Sequence, residues 1–348
     1  MTGVQTLTVA EGEGGQRLDR WFRRHFPHIP QGRIEKMCRK GEIRVEGGRV
    51  KPATRIEDGQ SIRIPPLPDE GEAPAAPQAP RISDADAQMM REAVLYRDDY
   101  IIVLNKPPGL PTQGGTGQAR HVDGLADALT FDAGEKPRLV HRLDKDTSGV
   151  LLLARSRKAA EALTRAFRAR DTRKIYWAAT AGVPSPRMGT IRFGLVKAPG
   201  HGRAGEGEKM HTIHPDAVAK TEGAKPATTD YATLSALGTR AAWVALVPVT
   251  GRTHQLRAHM AAIGHPIVGD GKYGGSGQEN LGDGWGAQLG GEISRKLHLH
   301  ARSISLTHPV TGARLTITAP LPAHMQKTWD AMEWRASDVP ADPFEDVE

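Results

Sequence analysis

The 348-residue sequence contains a single cysteine, Cys38, and no long hydrophobic run. One thiol excludes an intrachain disulfide framework and fits a reducing compartment. No apolar stretch approaches the roughly 20 residues needed to span a bilayer. The N-terminus also lacks the basic-then-apolar pattern of a secretory signal. We therefore expect a cytoplasmic protein without a membrane association.

Metal and nucleotide motifs are equally scarce. His211 and His214 have no Cys or His cluster around them that would complete a metal site. The glycine-rich residues 114–117 lack the lysine and the strand–helix context of a phosphate-binding loop. The sequence therefore indicates neither a bound metal nor a nucleotide cofactor.

Positive charge, by contrast, is abundant. The 47 Lys and Arg residues outnumber the 40 Asp and Glu residues, which gives a formal net charge of +7. A basic balance favours a polyanionic partner, although it carries no information about the fold. Hydrophobic residues make up 38% of the chain, which is modest but enough for a packed core. The length allows one large domain and a small one.

Composition divides the chain into four segments. Residues 1–64 are basic and patterned, and residues 65–81 contain six prolines, which predicts an extended, solvated linker. Residues 82–336 are rich in predicted strands with helices between them and form the second, larger predicted domain. Residues 337–348 form an acidic tail that we expect to fray.

The first segment contains two predicted helices, at residues 17–26 and 31–40. Both helices carry several Arg and Lys side chains, which are positively charged and long enough to contact RNA phosphates. A solvated helix face is the simpler interpretation of such a charge run. The side chains expected to contact RNA here are Arg20, Arg23, Arg24, Arg33, Lys36, Arg39 and Lys40.

The most informative segment is the nonapeptide His-Arg-Leu-Asp-Lys-Asp-Thr-Ser-Gly at residues 141–149. It lies between the apolar runs 138–140 and 150–154, which are both predicted to be short strands. The nonapeptide is therefore predicted to be a tight loop that holds Asp144 between two rigid elements, where catalytic side chains are commonly placed. A polar turn whose aspartate bonds its own backbone is the simpler alternative.

Two further blocks contain candidate functional side chains. Residues 174–178, Lys-Ile-Tyr-Trp-Ala, follow a basic helix that Ser156 is predicted to cap. Residues 251–257, Gly-Arg-Thr-His-Gln-Leu-Arg, follow an apolar strand at 241–249. Thr253 is predicted to cap the helix that comes next.

In order and spacing, these three blocks resemble the signature of the RluA-type RNA pseudouridine synthases. The resemblance runs from about residue 96 to about residue 320, and residues 1–64 resemble an S4 RNA-binding domain. The sequence departs from the family at Gln113, where relatives often have His, and in a longer glycine-rich stretch at 274–291. Further matching blocks lie at residues 105–109, 225–231, 264–270 and 297–301.

The resemblance implies an α+β fold. A small S4-like RNA-binding domain is tethered to a pseudouridine synthase catalytic domain whose sheet is mixed and largely antiparallel. The implied reaction is the isomerisation of specific uridines to pseudouridine in RNA, without a metal or other cofactor and without an obligate protein partner. The S4-like region makes the ribosomal large subunit synthases of the RluC and RluD kind the most similar members, so large-subunit rRNA is the expected substrate. A tRNA-directed synthase and a non-catalytic RNA-binding or ribosome-assembly factor are the alternatives.

The resemblance also assigns roles to side chains. Asp144 is the expected nucleophile at C1′ of the sugar, Arg257 the cation that orients it, and Tyr176 the flat surface on which the detached uracil turns. A surface cation and a core tyrosine are the simpler interpretations of Arg257 and Tyr176. Arg142 is expected to enter the RNA and hold the gap left by the extruded nucleotide. Further RNA contacts are expected from Lys106, Arg165, Arg168 and Lys174.

Overall fold

The computed structural model divides the chain into two compact units, residues 1–81 and 82–348. None of the helices in the described part of the chain is long and apolar enough to cross a bilayer. The Arg168 side chain and nearly all of the glycine-rich stretch at 274–291 lie outside the described residues. The structure describes residues 3–68, 82–114, 120–169, 171–198, 209–274 and 293–345.

The first unit combines two helices with a small antiparallel sheet. Its helices are α1 (Leu18–His25) and α2 (Gln31–Lys40), and its strands are β1 (Gln5–Thr8), β2 (Arg44–Val45), β3 (Gly48–Arg49) and β4 (Ser61–Ile64). The strand order is β1-β4-β2-β3.

Each helix of this unit forms because one apolar stripe can be buried against the sheet. The second helix, α2, begins directly after Pro30 and ends at Gly41, whose φ of 73° lies in the left-handed region that favours glycine. The residues buried along the two stripes are Leu18, Trp21, Phe22, Ile34, Met37 and Cys38.

The seven cations predicted on these helices are all exposed. Their ion pairs are loose, with 3.9 Å between Arg24 Nη1 and Glu13 Oε1 and 3.6 Å between Lys40 Nζ and Glu42 Oε1. The exposed positive groups are accessible to an anionic partner.

The start of the predicted linker is packed. Pro65 and Leu67 are buried, and Leu67 belongs to the apolar core of the first unit. The expectation of a solvated segment is wrong for these residues, because Leu67 comes just after β4 and continues its contact with the core. Residues 69–81 of the predicted linker lie outside the described part of the chain.

The second unit is built on an 11-stranded sheet, counted over the described residues. Its helices are α3 (Asp84–Glu92), α4 (Val122–Leu125), α5 (Arg157–Ala169), α6 (Gln255–Ala262) and α7 (Ala323–Ala331), with 3₁₀ turns at Ala126–Leu129, Pro215–Lys220 and Ala336–Asp338. Its strands are β5 (Val94–Arg97), β6 (Ile101–Lys106), β7 (Arg138–Leu139), β8 (Ser148–Ala154), β9 (Arg173–Ala181), β10 (Met188–Lys197), β11 (Met210–Ile213), β12 (Lys225–Leu237), β13 (Ala241–Pro248), β14 (Leu299–Thr307) and β15 (Arg314–Thr318).

The sheet is mixed and largely antiparallel, which confirms the predicted fold class. Its main path runs β11-β10-β12-β13-β9-β14-β8-β6-β5, with β15 also paired to β14 and β7 to β8. Among the described strands, β14 and β8 form the one parallel pair, whereas β14 and β9 are antiparallel. A late strand, β14, therefore lies between β9, which contains the block 174–178, and β8, which follows the Asp144 loop.

Strand β8 shows how the sequence fits this arrangement. Every one of its residues is buried, as expected for the apolar run 150–154 when both faces of a strand are covered. The strand enters its parallel pairing at Ser148 and Gly149. Gly149 has a φ of 104°, and a Cβ there would overlap the carbonyl oxygen of Ala301. Glycine is required at this position because it alone permits the close approach of the two strands.

The acidic tail is anchored as far as the structure describes it. Arg173 donates to both carboxylate oxygens of Asp342, at 2.8 and 2.9 Å. The guanidinium of Arg173 also lies 5.3 Å from the centre of the Phe344 ring. The expectation of a frayed tail is therefore wrong up to residue 345, because Arg173 on β9 supplies a counter-charge and Phe344 supplies an apolar contact.

Candidate active site

A cavity of about 550 Å³ brings the three predicted blocks together. Asp144 enters it from the loop between β7 and β8, Tyr176 and Lys174 from β9, and Arg257 from the beginning of α6. Arg142 also lines the cavity and is exposed. Five of the predicted site residues thus meet, although their positions in the sequence extend over more than a hundred residues.

The backbone around Asp144 is fixed on both sides. On one side, the Thr112 hydroxyl donates to the Leu143 carbonyl at 2.7 Å and accepts the Leu143 N–H at 3.1 Å. On the other side, the Gly109 N–H donates to the Lys145 carbonyl at 2.9 Å. The carboxylate of Asp144 is therefore presented from a loop whose neighbouring peptide groups are already satisfied.

Lys106 holds the same loop and does not face RNA. Its side chain is fully buried, and Nζ donates to the carbonyls of Pro107, Leu110 and Lys145 at 2.8 to 3.0 Å. Burial lowers the pKa of the Lys106 amine to about 7. The prediction that Lys106 contacts RNA is wrong, because β6 directs its last residue into the turns that support Asp144.

Arg257 contacts Asp144 but is held more tightly by another carboxylate. Arg257 Nη1 lies 3.6 Å from Asp144 Oδ2. Its Nε and Nη2 each donate to an oxygen of Asp270 at 2.7 Å, a bidentate pair with almost no solvent exposure. Burial alone would lower the pKa of Arg257, but the hydrogen bonds and charge of Asp270 outweigh it and the pKa is raised. The guanidinium is therefore charged and fixed in orientation beside Asp144.

The beginning of α6 differs from the prediction. The residue before its first turn is His254, whose φ of 51° is left-handed, and Thr253 makes no capping hydrogen bond. Gln255 holds this turn: its Oε1 accepts the Thr250 hydroxyl at 2.6 Å and the Arg252 N–H at 3.1 Å. The left-handed residue turns the His254 ring back to the cavity, with Nε2 3.9 Å from Asp144 Oδ2.

Tyr176 provides an aromatic wall of the cavity. Burial, together with the nearby charge of Asp144, raises the pKa of its phenol above its ordinary range. The hydroxyl is therefore protonated at neutral pH, and the ring is an uncharged surface on which a base can stack. His141 also lines the cavity: its Nε2 accepts the Leu152 N–H at 2.9 Å, and burial lowers the pKa of this imidazole to about 3.

The two remaining predicted RNA contacts with described side chains are Lys174, which lines the cavity, and Arg165 on α5. Lys174 is partly buried, and its Nζ lies 5.5 Å from the centre of the Phe167 ring. Burial lowers the pKa of Lys174. Arg165 is exposed on α5, whose N-terminus Ser156 caps as predicted by accepting the Ala159 N–H at 3.2 Å.

Comparison with known proteins identifies the family of the chain. The RNA pseudouridylate synthase family model matches residues 100–262. The ribosomal large subunit pseudouridine synthase C of Pasteurella multocida is 35% identical to the chain over 344 residues, which cover 96% of the chain and 95% of the relative. The chain belongs to the RNA pseudouridylate synthase family. The counterpart from Escherichia coli K12 is 34% identical to this synthase over 323 residues, covering 91% of the chain and 93% of the relative.

Solved structures agree with this assignment. Human RNA Pseudouridylate Synthase Domain Containing 4 matches the synthase with a TM-score of 0.54 and 30% identity, covering 71% of this chain and 95% of the human one. Human RNA Pseudouridylate Synthase Domain Containing 1 gives a TM-score of 0.50 and 26% identity, with coverage of 71% and 96%. The predictions of the family and of an RNA pseudouridine synthase enzyme are confirmed.

Three side chains of the synthase's site were given no role from the sequence. Asp270 stands within a family-like block, yet only the structure shows that it binds Arg257. His254 and Tyr273 form a hydrogen bond of 3.0 Å next to that pair. One sequence feature could have indicated Asp270: an arginine buried on a helix needs a carboxylate partner, and this block supplies one thirteen residues later.

Proposed function

We propose that this synthase converts uridines of large-subunit ribosomal RNA to pseudouridine, with Asp144 as the nucleophile. The observation that carries the proposal is the Asp144 carboxylate, which faces a 550 Å³ cavity with the Arg257 guanidinium 3.6 Å away. The choice of RNA rests on relatives of nearly full length that are named ribosomal large subunit pseudouridine synthases.

The chemistry begins at the glycosidic bond. When N1–C1′ breaks, its electron pair stays on N1 of the uracil and positive charge develops on the sugar. The Asp144 carboxylate captures C1′ and forms a C1′–O bond, as in retaining glycoside hydrolysis. Breaking that ester as C5 bonds to C1′ restores the carboxylate, and the proton lost from C5 is balanced by one gained at N1. The charged guanidinium of Arg257 orients the Asp144 carboxylate as it attacks C1′ and again as it is released.

Tyr176 holds the uracil between the two bond changes. Stacking on a neutral ring tolerates rotation of the base, whereas directed hydrogen bonds would fix a single orientation. The high pKa of the Tyr176 phenol supports this role, because a protonated hydroxyl adds no charge that would attract or repel the turning base.

The target nucleotide must leave the RNA stack to reach this cavity, because C1′ and N1 are inaccessible within a helix. Arg142, exposed at the cavity mouth, can fill the place of the extruded nucleotide. Lys174 lines the cavity and is placed for phosphate contacts, and the exposed Arg165 on α5 and Arg168 are assigned to the same group from their sequence positions. The seven exposed cations on α1 and α2 suit an S4-like module that adds RNA affinity.

The test is to map pseudouridines in ribosomal and transfer RNA from cells with and without the gene. We expect discrete sites in large-subunit rRNA to lose the modification and to regain it with the parent protein but not with Asp144→Asn. Asp146→Asn is the control, because Asp146 is an exposed carboxylate of the same loop. Loss of modification from transfer RNA alone would refute the substrate, and restoration by Asp144→Asn would refute the nucleophile.

A further inference from the structure

His254 is a second titratable group that faces Asp144. The contacts of Arg257 and His254 with Asp144 both reach the same carboxylate oxygen, Oδ2, at 3.6 Å from Nη1 and 3.9 Å from Nε2. The imidazole side chain is only 11% exposed, and it lines the cavity. The backbone of His254 is left-handed, a conformation that residues other than glycine rarely adopt, so the fold specifies the position of the ring.

The contacts of Tyr273 favour one tautomer of His254. The Tyr273 hydroxyl accepts the Met210 N–H at 2.9 Å and lies 3.0 Å from His254 Nδ1. A hydroxyl has one hydrogen, and donating it to Nδ1 satisfies both groups. The imidazole proton is then on Nε2, which faces Asp144. The opposite tautomer would place the Nε2 lone pair against a carboxylate.

The charges around His254 favour a neutral ring. Burial lowers the pKa of its imidazole, and the positive charges of Arg257 and Lys272 act in the same direction. The carboxylates of Asp144 and Asp270 oppose them without reversing the shift. His254 is therefore a neutral hydrogen-bond donor near pH 7, and it does not add a second full positive charge beside Arg257.

We propose that His254 is a positioning residue that donates its Nε2–H to Asp144 Oδ2 when a nucleoside fills the cavity. Arg257 and His254 then both contact Oδ2 of Asp144, and the other oxygen, Oδ1, is left to face C1′ of the sugar. Tyr273 acts through His254 by holding its tautomer. This inference rests on the proposed role of Asp144, and it assigns to the 251–257 block a function beyond the placement of Arg257.

The test compares His254→Leu, His254→Gln and Tyr273→Phe in the full-length enzyme. Single-turnover rates at saturating enzyme are measured together with RNA dissociation constants. A hydrogen bond to a charged group corresponds to a change of about 10- to 100-fold, so His254→Leu should lower the saturating rate by about that factor with little change in RNA affinity. His254→Gln retains an N–H donor at the same reach and should recover most of the rate. Tyr273→Phe should lower the rate by a smaller factor.

Controls separate this inference from its alternatives. His214→Gln changes an exposed histidine outside the cavity and should leave the rate unchanged. A His254→Leu rate within twofold of the parent would overturn the proposal, and Tyr273→Phe tests the same contact if the leucine variant does not fold. A glutamine variant as slow as the leucine variant would show that ring basicity, and not donation, is needed. Asp144→Asn, measured in parallel, tests the nucleophile independently.

Discussion

Positive charge is used differently in the two units of the enzyme. On α1 and α2 the cations are exposed, and the Arg24 side chain, 69% accessible, lies 3.9 Å from its carboxylate partner. Beside Asp144, the Arg257 side chain is 7% accessible and forms two 2.7 Å hydrogen bonds with a fully buried Asp270. The first set of charges is free to follow a phosphate backbone, whereas the second is locked in one geometry.

The difference separates exposed charges, whose small contributions to RNA affinity add together, from buried charges, which fix the geometry of a site. An exposed ion pair contributes about 0 to 1 kcal/mol, so exposed cations can be exchanged for one another with little cost to the fold. Breaking a buried pair by removing one partner costs about 3 to 5 kcal/mol, because the other charge is left unpaired. RNA affinity should therefore change in small steps, and catalysis should change abruptly.

Among substitutions that leave Asp144 in place, the largest effect should come from Asp270→Asn. Loss of the Asp270 carboxylate leaves Asp144 as the remaining carboxylate beside the buried Arg257. The guanidinium should then move to Asp144 and obstruct its attack on the sugar. We expect the saturating single-turnover rate to fall about 100-fold or more.

Arg257→Lys should also lower the saturating single-turnover rate, because an ammonium cannot span both carboxylates with a planar fork.

The matched control for Asp270→Asn is Asp342→Asn. Asp342 also forms a bidentate pair with an arginine, Arg173, but it does not line the cavity. We expect its substitution to leave the rate unchanged. If Asp270→Asn keeps a rate within threefold of the parent, the fixed orientation of Arg257 is not required for catalysis.

An intermediate effect is expected from Lys106→Met, which removes three hydrogen bonds under the Asp144 loop. Unsatisfied carbonyls should destabilise the fold by about 1 to 3 kcal/mol and lower the rate about tenfold. Lys158→Met, an exposed lysine on α5, is the control and should be nearly neutral. Denaturant unfolding and single-turnover kinetics measure the two outcomes.

The pH dependence of this destabilisation has a definite sign. Burial lowers the pKa of Lys106 from 10.5 to about 7, so between these values the unfolded chain binds a proton that the folded enzyme does not. The free energy of unfolding of the parent should therefore rise as the pH increases from about 7 to 10.5. Below pH 7, Lys106 is protonated in both the folded and the unfolded state, so it adds no further pH dependence. The variant lacks this rise, so it should be more destabilised at pH 9 than at pH 7. Equal destabilisation at both values would show that the Lys106 pKa is not lowered.

The smallest effect on chemistry should follow from replacing Arg20, Arg33 and Lys36 together by Gln. Each lost phosphate contact should reduce the slope of log affinity against log salt by about 0.7 to 0.9. The rate at saturating enzyme should stay the same. The charge-matched control is Arg91, Lys327 and Arg335, three exposed cations of the other unit. A saturating rate that falls with the first set, or an unchanged salt slope, would contradict the proposed division between affinity and catalysis.

Local patterns predicted much of the fold and the loop that holds the proposed nucleophile, Asp144. The bounds of α2 follow from Pro30 and Gly41, because one residue favours a helix start and the other a left-handed end. The Asp144 loop was predictable because apolar runs flank it, and burial of such runs is a local property of the sequence.

Contacts between distant segments could not be predicted in the same way. Nothing local distinguishes Lys106, which is buried under a loop 39 residues away, from an exposed lysine at a strand end. The tail was expected to be solvated because Asp342 looks like one more surface acid until Arg173 is placed 169 residues before it. Thr253 fits a capping pattern, yet His254 adopts the left-handed turn because its neighbours, Gln255 above all, hold the preceding loop.

The position of β14 in the sheet has a consequence for when the enzyme becomes active. Strand β14 joins β9 to β8, yet it is synthesised after Asp144, Tyr176 and Arg257. A nascent chain emerging from the ribosome therefore contains every proposed catalytic side chain before the strand that connects their supports exists. We therefore expect the enzyme to act on RNA only after β14 has been translated, and a chain truncated before Leu299 should be inert although it contains all three proposed catalytic residues.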